Sequence, residues 1–219
     1  MSALGKAPAG VRPYSSTAPF FELIFERNAR MITHMILTIL MVLGAGIFRL
    51  AAHQFGWWNI APVAAMALLG GMYLGRRYAL WIPLAVMAVT DIVLNMQMGY
   101  PMFYWPRGFD YAAFLLVGLL GLWARDRKLP TKISAAIATP FLFFFISNFA
   151  VWLFGMSLAN APYAKTFSGL AECYAAGLPF LRGTLIGDWS FMALFALSAL
   201  LLRRTAGERS RWLVAEARA

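Results

Sequence analysis

The chain has 219 residues, of which 61% are hydrophobic and only 13% are charged, and its mean hydropathy is +0.67. Soluble domains are about half apolar and about a quarter charged, so this composition excludes an ordinary soluble domain and indicates an integral membrane protein. The formal net charge of +10 comes from Lys and Arg at the ends of apolar runs rather than on one soluble face, which argues against nucleic-acid binding.

Six apolar runs are predicted to cross the membrane as helices, because roughly 20 apolar helical residues span a hydrocarbon core. The runs comprise residues 31–48, 57–75, 79–98, 110–124, 133–155 and 185–202. We therefore expect an all-α integral membrane bundle of six transmembrane helices over residues 31–202. An N-terminal segment, 1–30, precedes the bundle, and a basic tail, 203–219, follows it. Residues 20–30 fit either an interfacial helix or an extension of the first span.

Basic residues are distributed unequally between the two ends of the predicted spans. If the N-terminus is cytoplasmic, fifteen of the 19 Lys and Arg residues fall on the cytoplasmic side. The outer side keeps Arg49, Arg107, Lys165 and Arg182. Since cytoplasmic segments of membrane proteins are enriched in Lys and Arg, the sequence predicts a multi-pass protein with both termini in the cytoplasm.

The second span contains a stripe of small residues at intervals of four, namely Ala67, Gly71 and Gly75. Small residues on one helical face let neighbouring backbones approach closely in lipid, so we interpret the stripe as a packing surface. Pro83 and Pro140 lie inside the third and fifth spans, where each removes a backbone hydrogen bond and is predicted to kink its helix.

Polar residues inside the spans collect in their outer halves. These residues are Asn59, Asp91, Asn95, Asn148, Trp152 and Asp188. Helix rise places Asp91 roughly 18 Å into a core of about 30 Å, with Asn95 one turn nearer the outside on the same face. Asn148 lies at roughly 22 Å by the same measure, one turn below Trp152. Because intramembrane polar groups are costly and usually functional, we expect these residues to line a solute pocket.

Asp91 is the deepest carboxylate of this group, and a buried carboxylate needs a partner or stays protonated. Among the outer basic residues, Arg107 and Arg182 are the predicted candidates for reaching inward to it. Arg182 is also a candidate partner for Asp188, six residues further along. The alternative is that Asp91, Asn95 and Asn148 only fix packing by bonding to one another and to kinked backbone.

The segment 169–188 is too apolar for an ordinary exposed loop. Its glycines and Pro179 predict a re-entrant or lid segment packed on the bundle, because such backbone is tolerated at membrane depth only against protein or a water-filled cavity. Cys173 and Tyr174 lie in this segment and are predicted to face the solute.

Motifs for catalysis, cofactors or metals are lacking in the sequence. His34 and His53 are 19 residues apart, and Cys173 is the sole cysteine, without a histidine near it in sequence. There is no zinc-protease motif, phosphate-binding loop or nucleophile elbow. We therefore expect a protein that is not an enzyme and that holds no cofactor or resident metal.

Several segments together resemble an uncharacterised bacterial family of six-helix proteins classed with transport proteins. The segments that carry the resemblance are 59–71, Thr90-Asp91, 147–152 and 173–188. That family is similar to the substrate-binding S components of energy-coupling-factor vitamin transporters. The resemblance therefore implies an S-component-like fold in the bacterial cytoplasmic membrane, and a subunit that takes up a vitamin- or cobalamin-class solute from the outside.

The resemblance also implies partners. In S components, a module of two ATPases and a scaffold protein supplies energy, and an Ala-x-x-x-Ala stretch on the first helix docks to the scaffold. This chain reads Gly44-Ala45-Gly46 there, so either Gly44 and Gly46 supply the smooth surface or the protein acts alone. In some cobalamin-transporting relatives a cysteine can bind the cobalt of the solute. By this resemblance Cys173 would be the cobalt ligand if the solute is a cobalamin.

Three readings of function compete. Transport explains the outer clustering of polar residues and the apolar lid. An accessory or assembly subunit of a larger membrane complex predicts small-residue stripes without a cavity. An intramembrane enzyme would use Asp91 or Cys173, but the sequence offers no nucleophile–base or metal set for it. We expect transport of a small solute, with membrane lipid as the surroundings.

Overall fold

A computed structural model describes residues 18–57, 60–74, 76–99, 105–155 and 163–217. Six helices follow one another along the chain: α1 Ala18–Gln54, α2 Val63–Leu69 with a π-helical continuation Gly70–Leu74, α3 Arg76–Met98, α4 Trp105–Ala124, α5 Leu129–Phe154 and α6 Phe167–Ala217. No strand occurs within these ranges. The predicted all-α class is therefore confirmed.

Four segments are long and apolar enough to cross a membrane, namely Ala79–Gln97, Pro106–Ala124, Leu129–Phe154 and Phe167–Leu202. Shorter apolar helices, Thr38–Gln54 and Val63–Leu74, occupy the first and second predicted spans. The chain is thus a helical membrane protein, but six full spans are not confirmed. The second span is short because Pro62, at the N-cap of α2, cannot donate a backbone hydrogen bond and marks where the helix begins.

Local sequence accounts for both ends of α5. Lys128 precedes the helix in an extended conformation, and Pro130 falls in the first turn, where its missing N–H would have no partner anyway. The helix ends at Gly155, which has φ 78°, a left-handed conformation that favours glycine. Pro140 is accommodated in the helix interior.

The prediction of a re-entrant lid over residues 169–188 is wrong, because the whole segment is part of α6 and includes Pro179. A helix satisfies its own backbone hydrogen bonds, which is the least costly arrangement for an apolar segment at membrane depth. The helix also continues to Ala217, so most of the predicted basic tail is helical. At the other end of the chain, the unbroken α1 favours the extension of the first span over a separate helix at 20–30.

Helix α2 lies at the centre of the bundle, and all seven of its residues are buried. It contacts the other five helices. Its small residues permit this, because a Cβ on Gly71 would lie 2.6 Å from the carbonyl oxygen of Gly118 and 2.7 Å from the backbone nitrogen of Leu122. The packing interpretation of Ala67 and Gly71 is confirmed, whereas Gly75 lies outside the described residues.

Helix α6 changes neighbours along its length. Tyr174 Oη donates a hydrogen bond to the carbonyl oxygen of Phe145 on α5 at 2.9 Å. Further along, Gly187 lies so close to the start of α2 that a Cβ there would be 3.1 Å from the backbone nitrogen of Ala61. Phe191 then packs edge-on against Phe48 of α1, with 4.7 Å between ring centroids. The helix therefore joins α5 to the α1–α2 side of the bundle.

Two glycine-to-alanine substitutions should have opposite effects on stability. A Cβ on Gly118 would lie 2.6 Å from the carbonyl oxygen of Ala79, and backbone cannot rotate away. We expect Gly118→Ala to cost about 1–3 kcal/mol through overpacking. Gly44 has open space around the Cβ position, so Gly44→Ala should be neutral or stabilise by up to about 1 kcal/mol through helix propensity. Thermal unfolding in detergent, followed by circular dichroism, measures both, and equal effects would contradict the close α3–α4 contact.

Candidate functional site

Asp91 is the centre of a charge network that joins three helices. Its side chain is 5% exposed, and Arg49 Nη2 of α1 donates a hydrogen bond to Oδ1 at 2.6 Å. The other carboxylate oxygen accepts a hydrogen bond from Tyr111 Oη at 3.0 Å and lies 3.6 Å from Arg107 Nη1. Both of the latter residues belong to α4, so a single carboxylate on α3 holds α1 and α4 together.

Arg49 is fixed by a second contact as well. Its Nη1 donates a hydrogen bond to Thr90 Oγ1, which in turn donates to the carbonyl oxygen of Val86 at 2.8 Å. The guanidinium is therefore held across two consecutive residues of α3. Charge-assisted hydrogen bonds of this kind are roughly twice as strong as neutral ones and fix the geometry of a planar group.

Of the two predicted partners of Asp91, the structure confirms Arg107, whereas Arg49 was missed. The sequence analysis ended the first span at residue 48 and so placed Arg49 in an outer loop. In the structure α1 continues to Gln54, which puts Arg49 inside the helix and at the level of Asp91. Arg182 is exposed on α6 and is not paired with Asp91 or Asp188 in the part of the chain that the structure describes.

A cavity of about 230 Å³ lies beside this network, and all six helices contribute to its wall. Its polar lining consists of Arg49, His53, Asp110, Thr184 and Asp188. Its aromatic lining consists of Trp57, Phe114 and Phe143. Smaller apolar side chains, among them Ala64 of the central helix, complete the wall. The cavity thus combines an apolar body with a few convergent polar groups, which is the usual character of a small-molecule site.

Asp188 is the most unusual group in the cavity. It is 2% exposed, and its Oδ2 atom has no hydrogen-bond partner among the described residues. A buried carboxylate oxygen without a donor is costly, because nothing replaces the water that it loses. Asp188 was predicted as a site residue, and it lies in the cavity wall, while its contact with a solute stays a prediction.

Three polar residues of the cavity were missed by sequence reasoning. His53 follows Arg49 by one helical turn on α1, and Thr184 precedes Asp188 by one turn on α6. Asp110 is three residues after Arg107 in α4. A signal was present for Asp110 and Thr184, because residues three or four apart share one helical face and Arg107 and Asp188 had already been singled out. His53 had no such signal, since its neighbour Arg49 was itself missed.

Four predicted site residues form a separate cluster between α5 and α6. Cys173 Sγ donates a hydrogen bond to the carbonyl oxygen of Asn148 at 3.3 Å, and Asn148 Nδ2 donates to that of Phe144 at 2.9 Å. Tyr174 bonds to α5 as described above. Trp152 Nε1 donates to the carbonyl oxygen of Ala164 at 2.9 Å, just before α6 begins. These contacts attach the start of α6 to the end of α5, and none of the four lines the cavity.

The remaining predicted residues are placed as follows. Asn95 is buried one turn from Asp91 and does not line the cavity, and its Nδ2 atom has no hydrogen-bond partner among the residues with described positions. Asn59 lies outside the described residues. Within the described ranges no group of three or more His, Cys, Asp or Glu side chains is placed to hold a metal ion. Direct solute contact by Asn95, Asn148, Trp152, Cys173 or Tyr174 stays a prediction.

The fold and the cavity define a class, that of helical membrane proteins with an internal polar pocket. Residues 29–210 match the model of a family described as "Family of unknown function (DUF6580)", and the chain belongs to that family. Comparisons with curated proteins and with solved structures found no match. The expected relationship to S components therefore stays a prediction.

Charge-removing substitutions in the network should differ in cost. Asp91→Asn leaves Arg49 and Arg107 facing each other without a counter-charge, so we expect a loss on the order of 2–4 kcal/mol. Arg49→Gln should cost less, because Asp91 keeps Arg107 and Tyr111. Arg182→Gln is the control, since Arg182 is exposed. Thermal unfolding of the purified variants gives the ranking, and an Asp91→Asn protein as stable as the control would show that the network does not hold the helices.

Proposed function

We propose that this protein is the solute-binding subunit of a membrane transport system and that the cavity beside Asp91 is its binding site. The observation that carries the proposal is the cavity itself, whose wall comes from all six helices and includes five polar side chains. The accessory-subunit alternative predicts polar residues that only fix packing. Such a subunit does not need a polar cavity. Transport uses the cavity directly, without any reaction taking place in it.

The volume of the cavity favours a small solute. Pockets that enclose drug-sized ligands measure roughly 300–1,000 Å³, and this cavity, at about 230 Å³, is smaller. A small water-soluble vitamin or a metabolite of similar size suits that space. A cobalamin is much larger than a drug-sized ligand and would have to lie mainly outside the cavity. Because Cys173 is buried against α5 and away from the cavity wall, we do not carry the cobalt-ligand hypothesis forward.

The position of the cavity supports uptake from the outer side of a bacterial cytoplasmic membrane. Arg49 and His53 lie near the end of α1, and Asp110 lies near the beginning of α4, so the cavity is close to that end of the bundle. The opposite end carries a basic turn around residues 125–128. Under the positive-inside rule the basic end is cytoplasmic, which puts the cavity near the outer surface and both termini inside.

By the resemblance to S components, energy for release to the inside would come from a separate ATPase and scaffold module. The solute-binding step precedes that energy input and belongs to this chain alone. It can therefore be tested with the purified protein, independently of any partner.

A substitution that fills the cavity should abolish binding. Ala64→Leu adds three carbons to the wall, whereas Ala112→Leu makes the same change at an exposed position of α4. We would screen the wild-type protein by thermal shift against water-soluble vitamins and small amino compounds, because a ligand that binds only the folded form raises its apparent stability. For a compound that stabilises the wild type, Ala64→Leu should weaken binding at least about tenfold, or roughly 1.4 kcal/mol, and Ala112→Leu should not.

Isothermal titration of the same compound into both variants checks the screen. The proposal fails if no compound stabilises the wild type, or if Ala64→Leu binds the compound as tightly as Ala112→Leu does.

A further inference from the structure

We propose that the solute is a small organic cation, with a protonated amine as the simplest case, and that Asp188 is the residue that binds its charge. The inference rests on the proposed function, since it names the class of solute that the same cavity accepts. It is carried by the pairing of charges around the cavity and by the chemistry of its walls.

The first step is the unmet bonding capacity of Asp188. An ionised carboxylate only accepts hydrogen bonds, and Oδ2 of Asp188 receives none from the described residues although it is almost fully buried. A cationic N–H donor in the cavity would supply both the missing hydrogen bond and the missing counter-charge. The ionised form of a buried carboxyl group is costly without a partner, so a cation that supplies one is bound in preference to a neutral or anionic solute.

The second step concerns the other charges of the cavity wall. Arg49 is the basic lining residue with a fixed positive charge, and it is already engaged by Asp91 and Thr90. Asp110, from α4, adds a second carboxylate to the lining. Arg49 and Arg107 share Asp91, and Asp110 lies near both arginines, so two basic and two acidic side chains balance one another. Asp188 is the carboxyl group of the cavity wall that this balance leaves out, so an anionic solute would meet a carboxyl group and no spare positive charge. A cationic solute would instead meet a carboxyl group that has no counter-charge, so the cavity favours a positively charged solute.

The third step separates an organic cation from a metal ion. A bound monovalent ion needs about the space of one water molecule, roughly 30 Å³, and the cavity is several times larger. Trp57, Phe114 and Phe143 line it, and aromatic faces attract a desolvated cation while burying an apolar body. Apolar and aromatic walls together with the unsatisfied carboxyl group of Asp188 thus suit a compact cyclic or aromatic amine.

The test uses matched probes that differ only in charge. Benzylamine carries the cation, and benzyl alcohol is its neutral counterpart of nearly the same shape. Thermal unfolding of the purified wild-type protein is measured with each probe at the same concentration. We expect benzylamine to raise the melting temperature more than benzyl alcohol does, and NaCl to give no larger increase than KCl or LiCl at equal ionic strength.

Variants then assign the effect to one residue. Asp188→Asn should weaken benzylamine binding at least about tenfold and leave benzyl alcohol unchanged. Asp126→Asn, the same change at an exposed carboxylate in the turn after α4, should leave both unchanged. Without any probe, Asp188→Asn should unfold at the same temperature as the wild type or higher, because the amide keeps the shape of the carboxyl group and needs no counter-charge. Asp188→Glu, which keeps the charge, provides a second comparison if the asparagine variant does not fold.

The outcomes separate the two proposals. If benzylamine and benzyl alcohol stabilise the protein equally, or if Asp188→Asn binds benzylamine as well as the wild type does, the cation inference is wrong while the cavity remains a binding site. Stabilisation by Na⁺ but not by benzylamine would likewise overturn it in favour of an ion site. If neither probe nor any compound of the wider screen binds, the proposed function itself fails.

Discussion

Charge pairing at Asp91 is the constraint on which the arrangement of the bundle depends. In an apolar interior two guanidiniums and a carboxylate are stable only when they meet, so the position of α3 fixes the rotation of both α1 and α4 around it. The cavity wall follows from that geometry. Arg49 lines the cavity while its guanidinium is engaged by Asp91 and Thr90. The network thus holds the helices around the cavity, and the carboxyl group of Asp188 lies apart from the network, on α6.

Close backbone contact is the second constraint, and it attaches α2, which the charge network does not include, to α4. Helix α2 is short and wholly buried, and glycines on α2 and α4 allow the two backbones to touch. In lipid the gain from hiding apolar surface is small, so van der Waals contact between such smooth faces provides much of the helix association. The central position of α2 leaves the cavity between its N-terminal end and the surrounding five helices.

The sequence was sufficient for properties that depend on composition and on spacing along one helix. The all-α class, the packing role of Gly71 and the need of Asp91 for a basic partner all follow from such local patterns. Arg49 and the cavity residues were missed because they depend on where a helix ends and how it is rotated against its neighbours, which hydropathy does not specify. The lid was wrongly predicted for a related reason: the glycines and Pro179 were interpreted as helix breakers, but Gly177 allows close packing on α5 and Pro179 is accommodated within the helix. Cys173 and Asn148 were predicted to line a solute pocket, but they meet each other at the contact between α5 and α6.

Helix α6 has a mechanical consequence that follows from its continuity. At about 1.5 Å per residue its 51 residues extend over roughly 76 Å, and Pro179 is the only proline within it. The stretch before Pro179 is tied to α5, while the stretch after it carries Asp188 and continues without a break to the basic C-terminal end. A helix lacking one internal bond bends there most easily, and the remainder behaves as a stiff lever. Any rotation of α6 that accompanies filling of the cavity is therefore transmitted over the length of the lever, so that a small angular change at Asp188 becomes a displacement several times larger at its far end.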